Sequence, residues 1–127
     1  MQKPNYSVII PRDVFSKPDK KEMSAAYILL DYFKADVKFI PRNNCRTPDL
    51  LINCIEWELK APTGSGKRNL QHTISRAIKQ SQYIIIDARF SIIHISKIKS
   101  HLTAEINKQI KRLLLIDKQK NIVEIFR

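Results

Sequence analysis

The chain has 127 residues, and 23 Lys+Arg against 12 Asp+Glu give a formal net charge of +11 at pH 7. That length suits one domain, and 43% hydrophobic residues are enough for a core, which excludes a fully disordered chain. No run approaches the roughly 18 uncharged apolar residues of a membrane span, Met1 to Tyr6 lack the apolar stretch of a signal peptide, and Cys45 and Cys54 are too few for a disulfide scaffold or a four-ligand zinc site.

Residues 1–16 read as an irregular or extended entry segment, with Val8-Ile9-Ile10-Pro11 as an edge-strand candidate; residues 17–127 read as a single domain. Ser16-Lys17-Pro18-Asp19 is a helix start, with Ser16 or Lys17 near the cap and Pro18 in the first turn. That helix runs to about Phe33, because Met23, Ala26, Tyr27, Leu30 and Phe33 recur at three- and four-residue spacing. Val37-Lys38-Phe39-Ile40 is a short strand stopped by Pro41, and residues 42–48 form a polar loop. Asp49-Leu50-Leu51-Ile52 is a second strand, and Asn53-Cys54 a tight turn, since Asn tolerates the left-handed region. Ile55 to Lys60 alternates strictly between apolar and polar, the strongest period-two signal in the chain.

A loop follows to Gly66, then a helix over 67–82 with Leu70, Ile74, Ala77 and Ile78 on its apolar face. Tyr83 to Asp87 is a buried strand by its continuous apolar run. Ile95 to about Ile110 is an amphipathic helix, and Leu113–Ile116 and Ile122–Phe126 close the chain around the turn Lys118 to Asn121. The order is helix, three strands, helix, strand, helix, two strands. It defines an α/β (α+β) domain with a mixed central sheet.

The excess positive charge concentrates polyanions, of which nucleic acid is the commonest, although a lysine-rich solubilising surface carries the same charge. No segment joins a strong helical moment to a dense Lys/Arg face, which argues against an anionic membrane surface. The acids are less evenly spread. In the strand Ile55–Lys60 the pleat sends Ile55, Trp57 and Leu59 to one face and Glu56, Glu58 and Lys60 to the other. Asp49 starts the neighbouring strand, so a tight hairpin brings Asp49 and Glu58 within metal-bridging distance. Two hard oxygen ligands suit a Mg²⁺-type ion that polarises a phosphate and activates water, and a nearby Lys60 stabilises the charge that develops. An ordinary solvated strand face would show the same alternation.

Pro48-Asp49 followed by Glu58-Leu59-Lys60 on consecutive strands resembles the motif of the PD-(D/E)XK nuclease superfamily, whose core order of helix, three strands, helix and strand matches residues 17–87. The stretch Thr47 to Arg89, TPDLLINCIEWELKAPTGSGKRNLQHTISRAIKQSQYIIIDAR, with the tail IKRLLLIDKQKNIVEIF, resembles the C-terminal toxin nucleases of bacterial contact-dependent growth inhibition, many of them similar to tRNA nucleases. The likeness takes in about residues 20–127. It implies a restriction-endonuclease-like core, Asp49 and Glu58 as ligands of Mg²⁺ or another divalent cation, and Lys60 as the catalytic lysine. It further implies tRNA or other nucleic acid as substrate, a cognate immunity protein, no membrane insertion, a monomeric toxin, and delivery from a bacterial cell-surface effector into the target-cell cytoplasm.

Other candidates are placed beside this set. Glu22, on the first helix, stands where the superfamily often has a further acid, but a first-turn acid also answers the helix dipole. Glu56 is a fallback ligand. Thr73, Arg76 and Gln80 share one stripe of the second helix, opposite its apolar face, where the resemblance lets Thr73 and Gln80 touch the scissile phosphate or the lysine. His72, Arg76 and Lys79, with Lys67 and Arg68 in a basic loop leading into the helix, are candidates for the nucleic-acid backbone. The run Pro62 to Arg68 is not a Walker A loop, since Ala61 replaces its first Gly and Arg68 its Ser/Thr. Three alternatives stand: a metal-independent RNase of the barnase/colicin type using His72, Lys60 and Thr73, a DNase of the same superfamily, and a non-catalytic nucleic-acid-binding module.

Overall fold

A computed structural model of the chain describes residues 5–12, 17–41, 47–63, 67–92, 95–100 and 108–126, with backbone alone at 67–70, 95, 98–99 and 126. The elements are β1 (Val8–Ile9), α1 (Lys20–Phe33), β2 (Val37–Phe39), β3 (Leu50–Ile52), β4 (Ile55–Lys60), α2 (Lys67–Gln80), β5 (Tyr83–Asp87), α3 (Ile95–Ser100), β6 (Arg112–Ile116) and β7 (Ile122–Phe126). Among the described residues the strands form one mixed sheet in sequential order, β1 to β7. β1/β2, β4/β5 and β5/β6 are parallel, while β2/β3, β3/β4 and β6/β7 are antiparallel. The expected α+β class and element order are those observed. Gly64 and Gly66, Cys45, His94 and His101, and the expected helix beyond Ser100 up to residue 107, lie outside the described residues.

α1 starts later than expected. Its N-cap is Asp19, not Ser16 or Lys17, and Pro18 precedes the helix. The Asp19 carboxylate accepts from the Glu22 amide (2.8 Å), and the Glu22 carboxylate accepts from the Asp19 amide (3.1 Å). This reciprocal box satisfies two donors that the helix start otherwise leaves bare. The buried stripe is Ala25, Ala26 and Leu29, so Tyr27, expected inside, is 56% exposed. Tyr27 follows the same three-four spacing but lies around the helix from Leu29; the small side chains of Ala25 and Ala26 let the backbone approach the sheet.

Each helix selects one face. α1 packs with Val37, Phe39, Leu50, Ile52, Trp57, Ile85 and Leu114. Ile74 and Ala77 of α2 pack with Ile84, Ile86, Leu113 and Leu115 on the other face. Trp57, fully buried, stacks near Phe33 and Tyr83, and the Arg112 guanidinium lies 5.2 Å from its ring. Arg112 is itself held by Glu124 (2.9 Å) across the β6–β7 ladder.

At the end of β5, the fully buried Asp87 is paired with Arg89 (2.8 Å to each carboxylate oxygen). Arg89 also donates to the Ser24 hydroxyl (2.7 Å) and the Lys21 carbonyl (3.4 Å), tying α1 to the sheet. The bonded carboxylate raises the Arg89 pKa above its ordinary value. Removing the cation strands a buried charge. Arg89→Met is therefore expected to lower the free energy of unfolding by roughly 3 to 5 kcal/mol, and Ser24→Ala by about 1, both read by urea denaturation.

Candidate active site

The β3–β4 hairpin turns on Asn53 and Cys54, whose φ values of 51° and 64° are both left-handed. A two-residue turn with both positions at positive φ matches the twist of its strands and fixes their register. Leu50 pairs with Trp57, Leu51 with Glu56, and Ile52 with Ile55. One pair further, the Asp49 amide donates to the Trp57 carbonyl (3.0 Å), which sets Asp49 opposite Glu58 on the same face. The Asp49 carboxylate accepts from the Leu59 amide (2.9 Å), fixing its orientation.

Glu58 is 1% exposed. Lys60 Nζ lies 2.8 Å from its Oε2. Gln80, at the end of α2, lies against the same carboxylate; with its amide nitrogen turned toward Glu58 it donates to Oε1 (2.7 Å) and to Oε2. Burial pushes the Glu58 carboxyl up to about 7; Lys60 opposes that shift, and the neighbouring Asp49 charge and hydrogen bond add to it. The site thus brings Asp49, Glu58, Lys60 and Gln80 together. Ser81, which the sequence reading passed over, holds the frame: its hydroxyl donates to the Glu56 carbonyl (2.7 Å) and accepts from the Tyr83 amide (3.0 Å). A serine just beyond the last turn of α2 is the signal that could have found it.

The remaining candidates are placed differently. Glu22 sits in the α1 capping box, on a helix that covers the opposite face of the sheet from Glu58 and Lys60. Thr73 is half-buried, one turn before the buried Ala77 and two before Gln80. Thr73 and Gln80 therefore flank the apolar face of α2 rather than oppose it, because positions 73, 77 and 80 repeat one helical row. Arg76 does not share that row; it is exposed with His72 and Lys79 on the outer side of α2. The side chains of Lys67 and Arg68, and residues 64–66, lie outside the described residues. Glu56 is exposed. An open cleft of about 430 Å³ is lined by Pro48, Glu56, Gln80 and Ser81 among others, but not by Asp49 or Glu58; a larger one of about 650 Å³ lies between α1 and the β6–β7 turn.

Among the described residues no group of three or more His, Cys, Asp or Glu is arranged to hold a metal. The donor set nevertheless fits a hard divalent cation. Mg²⁺ is commonly held by one or two carboxylates with water completing the shell; here a buried Glu58 and a half-buried Asp49 stand side by side with Lys60 as the neighbouring cation. Asp49 and Glu58 would be its ligands.

Residues 46–122 match the family described as Contact-dependent growth inhibition CdiA C-terminal domain. A solved structure with a similar fold is the CdiA-CT/CdiI toxin and immunity complex from Burkholderia pseudomallei, at 22% identity and a TM-score of 0.67, covering 95% of this chain and 99% of that one. Curated proteins give no match. The match spans more than half of the chain, which therefore belongs to the CdiA C-terminal domain family. It is the toxin domain of an interbacterial competition system. Among the described residues no helix is long and apolar enough to cross a membrane.

Because Glu58 binds its proton more tightly folded than at its ordinary value of 4.5, its contribution to stability is fully present below pH 4.5 and is lost as pH rises through about 7. Without divalent cations, the free energy of unfolding is expected to fall between pH 5 and 8 by on the order of 3 kcal/mol, a loss that Glu58→Gln removes. Millimolar Mg²⁺ at pH 8 is expected to restore stability in the parent and not in the variant, as read by calorimetry.

Proposed function

We propose that this domain is a cation-assisted nuclease that hydrolyses RNA phosphodiesters, tRNA foremost, inside a target cell, and that a cognate immunity protein blocks it in the producer. One observation carries the reading: two carboxylates and a lysine converge on one face of the sheet inside a domain of net charge +11. The toxin and immunity complex with a similar fold supports the partner, and the basic surface favours a polyanion as substrate. RNA and tRNA rest on the resemblance of Thr47 to Arg89 to toxin tRNA nucleases.

When bound at Asp49 and Glu58, a divalent ion would supply Lewis acidity toward a phosphate oxygen and lower the pKa of water. The chain's own residues do the rest. Asp49 is held for this by the Leu59 amide. Gln80 orients the Glu58 carboxylate from the α2 side. Lys60, within 2.8 Å of Glu58, is placed to stabilise the negative charge that grows on the attacked phosphate. Burial of Glu58 keeps the site poorly hydrated, which strengthens each of these interactions. The outer face of α2, with His72, Arg76 and Lys79 exposed, supplies a basic flank for backbone phosphates.

Incubation of the pure protein with total tRNA and with plasmid DNA, with and without Mg²⁺, tests the assignment. Cleavage of tRNA that stops with EDTA is expected, and Asp49→Asn or Lys60→Ala is expected to reduce it by at least about a hundredfold. Activity that survives EDTA would favour the metal-independent alternative; cleavage of DNA alone would redirect the substrate.

A further inference from the structure

Among the described residues, α1 and α2 leave part of one sheet face exposed. α1 packs against β1 and β2 on the Trp57 side, and α2 lies over β4 and β5 on the Glu58 side. On the Glu58 side, Ile9 pairs with Lys38, Lys38 with Leu51, and Leu51 with Glu56, so these four form one row across β1 to β4. Their partners at odd and even positions confirm the face: Val8, Val37, Leu50, Ile52 and Trp57 all point the other way, into the α1 core. Ile9 is 37% exposed, Lys38 and Glu56 are exposed, and Leu51 is half-buried. The next row holds Asp49 and Glu58, with Ile40 donating its amide to the Asp49 carbonyl (2.9 Å).

We propose that this open row is the track along which a single strand of the substrate reaches the carboxylates, with Lys38 holding the backbone phosphate next to the scissile one. The proposal rests on the nuclease reading above. Strands lie about 4.8 Å apart and rise about 3.3 Å per residue, which sets the Lys38 Cα about 8 Å from that of Asp49. The long lysine stem spans that gap while its ammonium stays in solvent. Ile9 and Leu51 on either side give an apolar seat for a sugar or base, and Glu56 at the far end repels phosphate, directing the chain to the Lys38 side. A strand so placed passes Lys38 before Asp49 and leaves toward the exposed Arg76 and Lys79. An unpaired strand can lay against Ile9 and Leu51 the bases that a duplex keeps stacked inside.

The track is tested in the cleavage-silent Asp49→Asn protein by fluorescence anisotropy with a labelled single-stranded RNA oligonucleotide over a salt series. Adding Lys38→Ala is expected to weaken binding three- to tenfold and to reduce the slope of log affinity against log salt by about 0.7, the share of one phosphate contact on a single strand. Lys118→Ala, the same charge change in the β6–β7 turn, is expected to leave both unchanged. In the active protein, Lys38→Ala is expected to raise KM with kcat retained. Equal affinity and slope for Lys38→Ala and its parent would overturn the track while leaving the nuclease reading intact. A wild-type protein that neither binds nor cuts any nucleic acid would overturn that reading itself, and the track with it. Lys38 is exposed, so its variants keep the parent's melting temperature, and a drop in it would count against the proposal.

Discussion

The register of the β3–β4 hairpin is the constraint on which the core and the site both depend. A two-residue turn at Asn53 and Cys54 leaves no slack between the strands. With Leu50 locked opposite Trp57, every odd position of β4 enters the α1 core and every even one takes the opposite face of the sheet. A slip of one residue would turn Trp57 out and bury Glu56 among Phe39 and Leu114. The same slip would separate Asp49 from Glu58. Stability and the carboxylate pair are therefore selected by a single geometric fact, and the large apolar area of Trp57 is what enforces it.

The cost of the site sits on one group. Glu58 is removed from water beside another acid, and its two balancing contacts come from different elements, Lys60 on the same strand and Gln80 at the end of α2. Desolvation still dominates, as the upward displacement of its pKa shows. A carboxylate left in this condition is poor as a structural ion pair and well suited to receive a cation. Contrast Asp87, equally buried, where both oxygens are met by the guanidinium of Arg89 and the pair fastens α1 to the sheet. One buried acid is fully compensated and mechanical; the other is incompletely compensated, the condition that the proposed cation site draws on.

Most of the fold could be read in the sequence where one periodicity acted alone. Strand β4 was legible because its alternation had a single buried face, and the tight turn before it because Asn53 tolerates positive φ. The pairing of Asp49, Glu58 and Lys60 followed from those two readings. Legibility failed where two rules competed. Pro18 suits a first helical turn, yet Asp19 and Glu22 can cap each other, and that reciprocal pair set the start of α1. Tyr27 fits a helical stripe by spacing, but a stripe through Ala25, Ala26 and Leu29 brings the backbone closer to the sheet. The stripe of α2 was misplaced by one position because Thr73, Arg76 and Gln80 are all polar; only contact with β4 distinguishes Gln80 from the outward Arg76. The open row of Ile9, Lys38 and Leu51 was not legible at all, because it is assembled from pairings between strands far apart in sequence.

The surplus of positive charge gains meaning from how the acids are used. Asp31 is paired with Lys34 and Glu124 with Arg112. Asp36 accepts from the Ser7 amide, Asp117 from the amides of Gln119 and Asn121, and Asp19 and Glu22 from each other's amides. These carboxylates serve caps, turns and local pairs, and with all 12 acids counted the chain still carries +11. The exposed cations on α2 and on β2 then lie on the same side of the sheet as Asp49 and Glu58. On the proposed reading, a polyanion drawn to that side would meet the carboxylates through a cation seated between them and a phosphate. In the proposed nuclease reading, attraction over long range and repulsion at the carboxylates are separated in space by the pleat of β4, and a divalent ion held by Asp49 and Glu58 would reconcile the two.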